Sequence, residues 1–338
     1  MRKSLNRNGL LTRDVVLLLS AGLAYFVVAG ISFPVLPRLV KQELNGGEFE
    51  IGLAFGVMGL GMLAMRPLVG FLADKYGRKQ LIIVGAIVII ITQLLHVPAA
   101  KSSLGMLLLV RFVLGLGSSA MYVGQATTAT ELPPKSRSGE IFSLFNVSVV
   151  AGFAVGPVVG EITLQREGFS TAFAVAALFA FFCLLLGLFL PETKPQGVKA
   201  HFEGVKSLIH PIAVRAGVVS FLLFGAFLSF NAFITPFAES MGVSTVRWIL
   251  LSYALTSVLT RFFGGRLIDT VDRRTLGSCS HVIVIIGLLV LVVFNNHPSL
   301  YVGGIIMAIG LSFNVPLMIV IAADSASPDE RSRVVATV

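Results

Sequence analysis

Charge is what this sequence has least of. Asp, Glu, Lys and Arg make up 13% of its 338 residues, against roughly 25% in an ordinary soluble domain. A chain so poor in charge cannot cover its apolar surface against water, which excludes a conventional soluble fold. Cysteine is also scarce: Cys183 and Cys279 fall in or at the edge of different apolar runs, so no disulfide framework is expected. The five histidines are scattered, and a metal site needs several donors converging, so no metal is expected. No G-x-x-x-x-G-K-[ST] phosphate loop occurs, which excludes direct use of ATP through that motif. Long polar segments are missing as well. The longest, Pro191 to Lys206, is too short to be an appended catalytic domain, and no nucleophile, acid and base converge as an enzyme requires. Neither enzymatic activity nor a cofactor is expected.

Apolar residues supply 55% of the chain and its mean hydropathy is +0.89. They gather into runs of about 20 residues, the length that crosses a bilayer as a helix. The runs predict helices over 14–37, 50–72, 80–98, 103–128, 140–163, 170–190, 213–237, 247–268, 275–295 and 299–323. A further apolar pattern resumes at Val334 and stops at Val338, as though an eleventh helix had begun and been cut. The run from Val15 to Leu36 is too long for a signal-peptide core and ends without a small-residue cleavage site. It is expected to be retained.

The formal charge of +9 takes its meaning from its placement on loops. A cytoplasmic N-terminus puts Lys75, Arg78, Lys79, Lys194, Arg273 and Arg274 inside, and leaves only Arg38, Lys41, Lys101, Arg166 and Arg247 outside, as the positive-inside rule requires. Because the basic residues flank apolar spans and do not form one face, no nucleic-acid partner is expected. The segment 191–212 has breakers at both ends and reads as a central cytoplasmic loop between residues 1–190 and 213–338. Within it, Phe202 to Ile209 has the pattern of a short interfacial helix.

The run Arg66-Pro-Leu-Val-Gly70-Phe-Leu-Ala-Asp74-Lys-Tyr-Gly77-Arg78-Lys79 returns, altered, as Arg261-Phe-Phe-Gly-Gly265-Arg-Leu-Ile-Asp269-Thr-Val-Asp272-Arg273-Arg274. The chain is therefore internally duplicated. Its first copy, G-x-L-A-D-x-x-G-R-K, resembles the loop between the second and third helices of the major facilitator superfamily. That resemblance implies an all-α polytopic membrane protein of two pseudo-symmetric six-helix bundles, the second incomplete. It also implies a gating charge network of Asp74 and Arg78, with Glu131 as acidic partner and Gly70, Gly77 and Lys79 shaping the loop. Asp269, Arg273 and Asp324 are the repeat equivalents.

Arg111 opens Arg111-Phe-Val-Leu-Gly115-Leu-Gly117 deep in an apolar run. An unpaired guanidinium there costs at least about 2.5 kcal/mol and marks a functional position. The segment resembles the superfamily's R-x-x-x-G-x-G motif, which implies proton coupling. Gly152-Phe-Ala-Val-Gly156-Pro157-Val-Val-Gly160 has the small-residue spacing that lets helices touch, and it is similar to the G-x-x-x-G-P-x-x-G-G motif of drug/proton antiporters. Its last glycine is replaced by Glu161, an acid that could take protons near the outer mouth. Polar and aromatic candidates for a central cavity are Tyr25, Gln125, Asn146, Asn231, Tyr253 and Asn314.

Together these features imply a secondary transporter in the cell (plasma) membrane, acting as a monomer, with lipid, protons and a small-molecule substrate as partners. Export of small organic or amphiphilic compounds by proton antiport is the leading expectation. Proton symport of a sugar or organic acid is the alternative, and a non-transporting receptor a remote one.

Overall fold

A computed structural model describes residues 11–132, 137–194, 214–264 and 271–324. Among them the chain is helical: α1 Arg13–Leu44, α2 Glu48–Tyr76, α3 Arg78–Ser102, α4 Leu104–Glu131, α5 Ser138–Phe189, α6 Val214–Ser240, α7 Arg247–Gly264, α8 Arg273–Phe294 and α9 His297–Asp324. Seven stretches of these are long and apolar enough to cross a membrane. Helix is the expected outcome, because in hydrocarbon each backbone N–H and C=O must find its partner within its own segment.

α5 has 52 residues, roughly 78 Å at about 1.5 Å per residue, far more than the roughly 30 Å hydrocarbon core. It is two spans joined at Gly168, which has φ 83° and ψ −175°. That positive φ belongs to glycine because it has no Cβ. The runs read as 140–163 and 170–190 are the two arms. Several other helices outlast their apolar runs: α1 continues through Arg38 and Lys41, and α2 through Asp74 to Tyr76. Hydropathy marks where apolar residues stop, whereas the helix goes on while its backbone ladder is intact. The short helix expected over Phe202 to Ile209 and the apolar pattern from Val334 lie outside the described residues.

The packing separates into two compact units. The first comprises the described parts of Met1–Ile31, Gly56–Gly156 and Arg166–Phe202. Here glycines let backbones approach. A Cβ on Gly61 would stand 2.2 Å from the Phe112 carbonyl oxygen, and one on Gly115 2.1 Å from that of Met58, so α2 and α4 touch main chain to main chain. α3 and α4 run antiparallel, with Gly85 against the Gly117 carbonyl and Gly124 against that of Arg78. The buried fillers include Leu81, Ile82, Ile89, Leu107, Met121, Phe145 and Phe173.

The second unit comprises the described parts of Ser32–Phe55, Pro157–Gln165 and Glu203–Val338. Its core holds Phe230, Ile234, Ile249, Tyr253, Val284, Met307 and Leu311. Gly287 and Gly303 bring α8 and α9 together, each facing the other's carbonyl at 2.9 Å from an added Cβ.

Candidate functional site

The α2–α3 turn is built around Gly77, whose φ of 105° lies where L side chains are strained. This reversal aims Arg78 back along α2. Its Nη1 reaches Asp74 Oδ1 at 2.9 Å and donates to the Ala73 carbonyl at 2.9 Å. Its Nε and Nη2 donate to Glu131 Oε2 and Oε1 at 3.0 and 2.9 Å, the two-pronged geometry that a planar guanidinium gives a carboxylate. The structure thus brings Asp74, Arg78 and Glu131 together around a buried arginine.

Glu192 completes this cluster, and sequence reasoning missed it. Its carboxylate accepts from the backbone amides of Arg78 at 2.9 Å and Lys79 at 3.3 Å, an anion seated on the positive end of α3. Thr193 Oγ1 donates to Glu131 Oε2 at 2.8 Å, and Lys194 Nζ to the Lys75 carbonyl at 2.8 Å. The available signal is the Pro191-Glu-Thr-Lys run, whose pattern alone reads only as the start of a polar loop. An added Cβ on Gly77 would fall 2.1 Å from Glu192 Oε2, whereas one on Gly70 would meet nothing. In the second copy, Asp272 caps α8 by accepting from Thr275 N and Oγ1, each at 3.0 Å. Asp269 and the side chains of Arg273 and Asp324 lie outside the described residues.

Arg111 is 1% exposed, deep in α4. The antiparallel register with α3 sets it level with the turn holding Gln93 and His96, and its charge interacts with His96. His96 is fully buried, stacked on Phe173 with ring centroids 4.6 Å apart, its Nδ1 2.7 Å from the Thr92 carbonyl. Gly115 and Gly117 of the Arg111 motif are packing contacts, against α2 and against Val88 of α3.

On α5, Gly152 and Gly156 lie against α1: an added Cβ would stand 2.9 Å from the Leu23 carbonyl at the first and 2.6 Å from that of Val27 at the second. Pro157 and Gly160 are buried beyond them. Glu161 follows, fully buried. It accepts from Arg38 Nη2 at 3.2 Å, from the Val246 amide at 2.8 Å, from the Arg247 amide, and from Gln165 Nε2 at 3.5 Å.

The cavity candidates separate. In the first unit, Tyr25 donates its hydroxyl to the Ser118 carbonyl at 3.4 Å and joins an aromatic set with Phe26, Tyr122, Phe145 and Phe153. Gln125 has no exposed surface and donates to Cys183 Sγ at 3.3 Å. Asn146 and Asn231 donate to carbonyls of their own helices, Phe142 at 2.9 Å and Phe227 at 2.8 Å. In the second unit, Tyr253 stacks on Phe230 at 5.0 Å, with Phe227 bridging towards Phe33. The Asn314 side chain lies outside the described residues. No cluster of three or more His, Cys, Asp or Glu suited to a metal occurs among the described residues.

Comparison with known proteins agrees with this architecture. The sequence profile described as Major Facilitator Superfamily matches residues 17–247 and 217–338. Multidrug resistance protein MdtL of Salmonella dublin is 30% identical over 253 residues, 73% of this chain and 60% of the relative. MdtL of Salmonella typhimurium aligns to the same extent. The chain thus spans about 60% of the length of the curated relatives it matches. Among solved structures, nucleoside transporter NupG superposes with a TM-score of 0.77 at 17% identity, over 96% of this chain and 86% of that one. The human organic anion transporter MFSD10 (TETRAN) superposes with a TM-score of 0.71 at 18% identity, over 96% and 88%. At such identities these structures establish the fold alone.

Proposed function

The chain belongs to the major facilitator superfamily, and from that premise we propose that it is a secondary active transporter exporting small organic or amphiphilic compounds by proton antiport. The observation that carries the export reading is the α5 arm, whose Gly152 and Gly156 lay it against α1 ahead of Pro157. Kinship with proteins named for multidrug resistance supports the same reading.

In this proposal residues 1–190 and 213–338 form two halves joined by the 191–212 loop. They alternate access to a midplane site, as inverted-repeat and two-half transporters do. The N-terminus is cytoplasmic, the membrane is the plasma membrane, and the chain works as a monomer. Asp74, Arg78 and Glu131 control opening at the inner face, with Asp269, Arg273 and Asp324 in the equivalent place. Arg111 couples the cycle to protons, and Tyr25, Asn146, Asn231, Tyr253 and Asn314 belong to the substrate path.

The test uses membrane vesicles loaded with a pH-sensitive dye, an imposed proton gradient, and a panel of lipophilic cations, neutral antibiotics and sugars. Compound-dependent proton release by the parent and its loss in Arg111→Ala is the expected result. Proton movement in the same direction as a sugar overturns export in favour of symport.

A further inference from the structure

At the ends of α1, α5's first arm and α6, three charged side chains converge on the start of α7, all within the second unit. Glu161 stands where the similar antiporter motif has glycine. Its carboxylate holds the first amides of α7: Val246 N donates to Oε1 at 2.8 Å and Arg247 N to Oε2. An α-helix begins with amides that have no partner in the helix itself, and here a residue 85 positions earlier supplies the acceptor. Arg38 joins the same group. Its Nη2 lies 3.2 Å from Glu161 Oε1 and donates to the Ser244 carbonyl at 3.0 Å, while its Nε donates to Glu239. The side chains of Arg38, Glu161 and Glu239 are 8%, 0% and 32% exposed, so the cluster is sealed at Glu161 and opens to its surroundings at Glu239.

Two features set this cluster apart from inert packing. One guanidinium serves two carboxylates, and Arg38 Nη1 is left buried without a hydrogen-bond partner among the described residues, a defect that costs about 1–3 kcal/mol. Moreover, the bonds tie together four elements, α1, α5, α6 and α7. Such a cluster is strong enough to fix a geometry and incomplete enough to be left.

We propose that Glu161, with Arg38 and Glu239, is a latch that positions the first turn of α7, and that its release frees this end of α7 to move. Glu161 is the positioning residue, since among the described residues it binds the α7 amides and Arg38 together. Arg38 ties the latch to α1, and Glu239 is its outer arm. The proposal rests on the geometry of the second unit and not on the identity of any transported compound.

The test reads accessibility of α7 in the full chain, in lipid nanodiscs that leave both faces open to reagent and with no substrate added. Val246 is fully buried, so Val246→Cys serves as the α7 reporter, on a Cys279→Ser background that removes the exposed thiol. Ala308→Cys, buried on α9 in the same unit, is the control for general loosening. We expect a small water-soluble thiol reagent to label the α7 reporter at least tenfold faster in Glu161→Gly than in the parent, with Glu161→Gln and Arg38→Gln in between. Labelling of the α9 control is expected to stay at the parent rate. Unchanged labelling of the α7 reporter in folded Glu161→Gln and Arg38→Gln overturns the proposal, because packing alone would then hold α7. Equal acceleration at both positions overturns it too, by making Glu161 a general stabiliser. Should Glu161→Gly fail to give a monodisperse protein, the Gln variants decide.

Discussion

At the residue scale, Gly77 shows how one position meets two demands. Its φ of 105° strains any side chain, and Glu192 occupies the space a Cβ would take. Gly77→Ala is therefore expected to lower the thermal unfolding midpoint in detergent. Adding Glu192→Ala is expected to restore only part of it, since the collision is relieved while the backbone strain of about 1–3 kcal/mol persists. A fully additive pair of losses would refute the shared cause. Arg78→Lys is a second case. Lysine keeps the charge but cannot fork onto Glu131, so a loss of about 1–3 kcal/mol is expected in the same measurement, and Arg78→Ala should lose at least as much. The proximity of Asp74, Arg78 and Glu131 was legible because the first two sit in a recognisable motif and the resemblance it carries implies an acidic partner at Glu131. Glu192 was not, for its role depends on a contact 114 positions away that no local pattern announces.

At the element scale, the two glycine types on α5 separate backbone from packing effects. Gly168 has open space around it, so Gly168→Ala should cost only the backbone strain of its positive φ, about 1–3 kcal/mol. Gly156 has the α1 main chain against it; Gly156→Ala must push two helices apart and is expected to reduce folded yield and transport much more. Size-exclusion profiles and vesicle flux of the two variants compare them directly, and equal losses would contradict the close contact. Helix positions were legible from apolar runs, since crossing a bilayer fixes both length and composition. Helix ends were not. α1 runs on past Arg38 to Leu44, and that extension carries Arg38 to Glu161, a meeting that hydropathy could not foresee.

On the scale of the whole molecule, the internal duplication was the most legible feature, because a repeated Arg, Gly, Leu, Asp and Arg pattern needs no structure to be seen. Which polar groups face an open path was least legible. Gln125 reads as a cavity residue by type, and the structure shows it fully buried with its amide on Cys183. An amide in a span satisfies itself wherever a partner lies, and only packing decides whether that partner is protein or cargo. Gln125→Leu is accordingly expected to leave compound-dependent proton release in vesicles within about twofold of the parent, the scale of changes under 0.5 kcal/mol. A large shift in compound preference would place Gln125 on the path after all.

The carboxylate of Glu192 on the first turn of α3 also sets an order in time. The amide of Arg78 is separated from its acceptor by 114 positions of chain, which a ribosome working at about 5–20 residues per second needs roughly 6–23 s to add. Throughout that interval the leading amides of α3 lack this acceptor. The Glu192 contact on the turn between α2 and α3 can therefore form only after both arms of α5 have been made, and the first unit gains it late in its own synthesis.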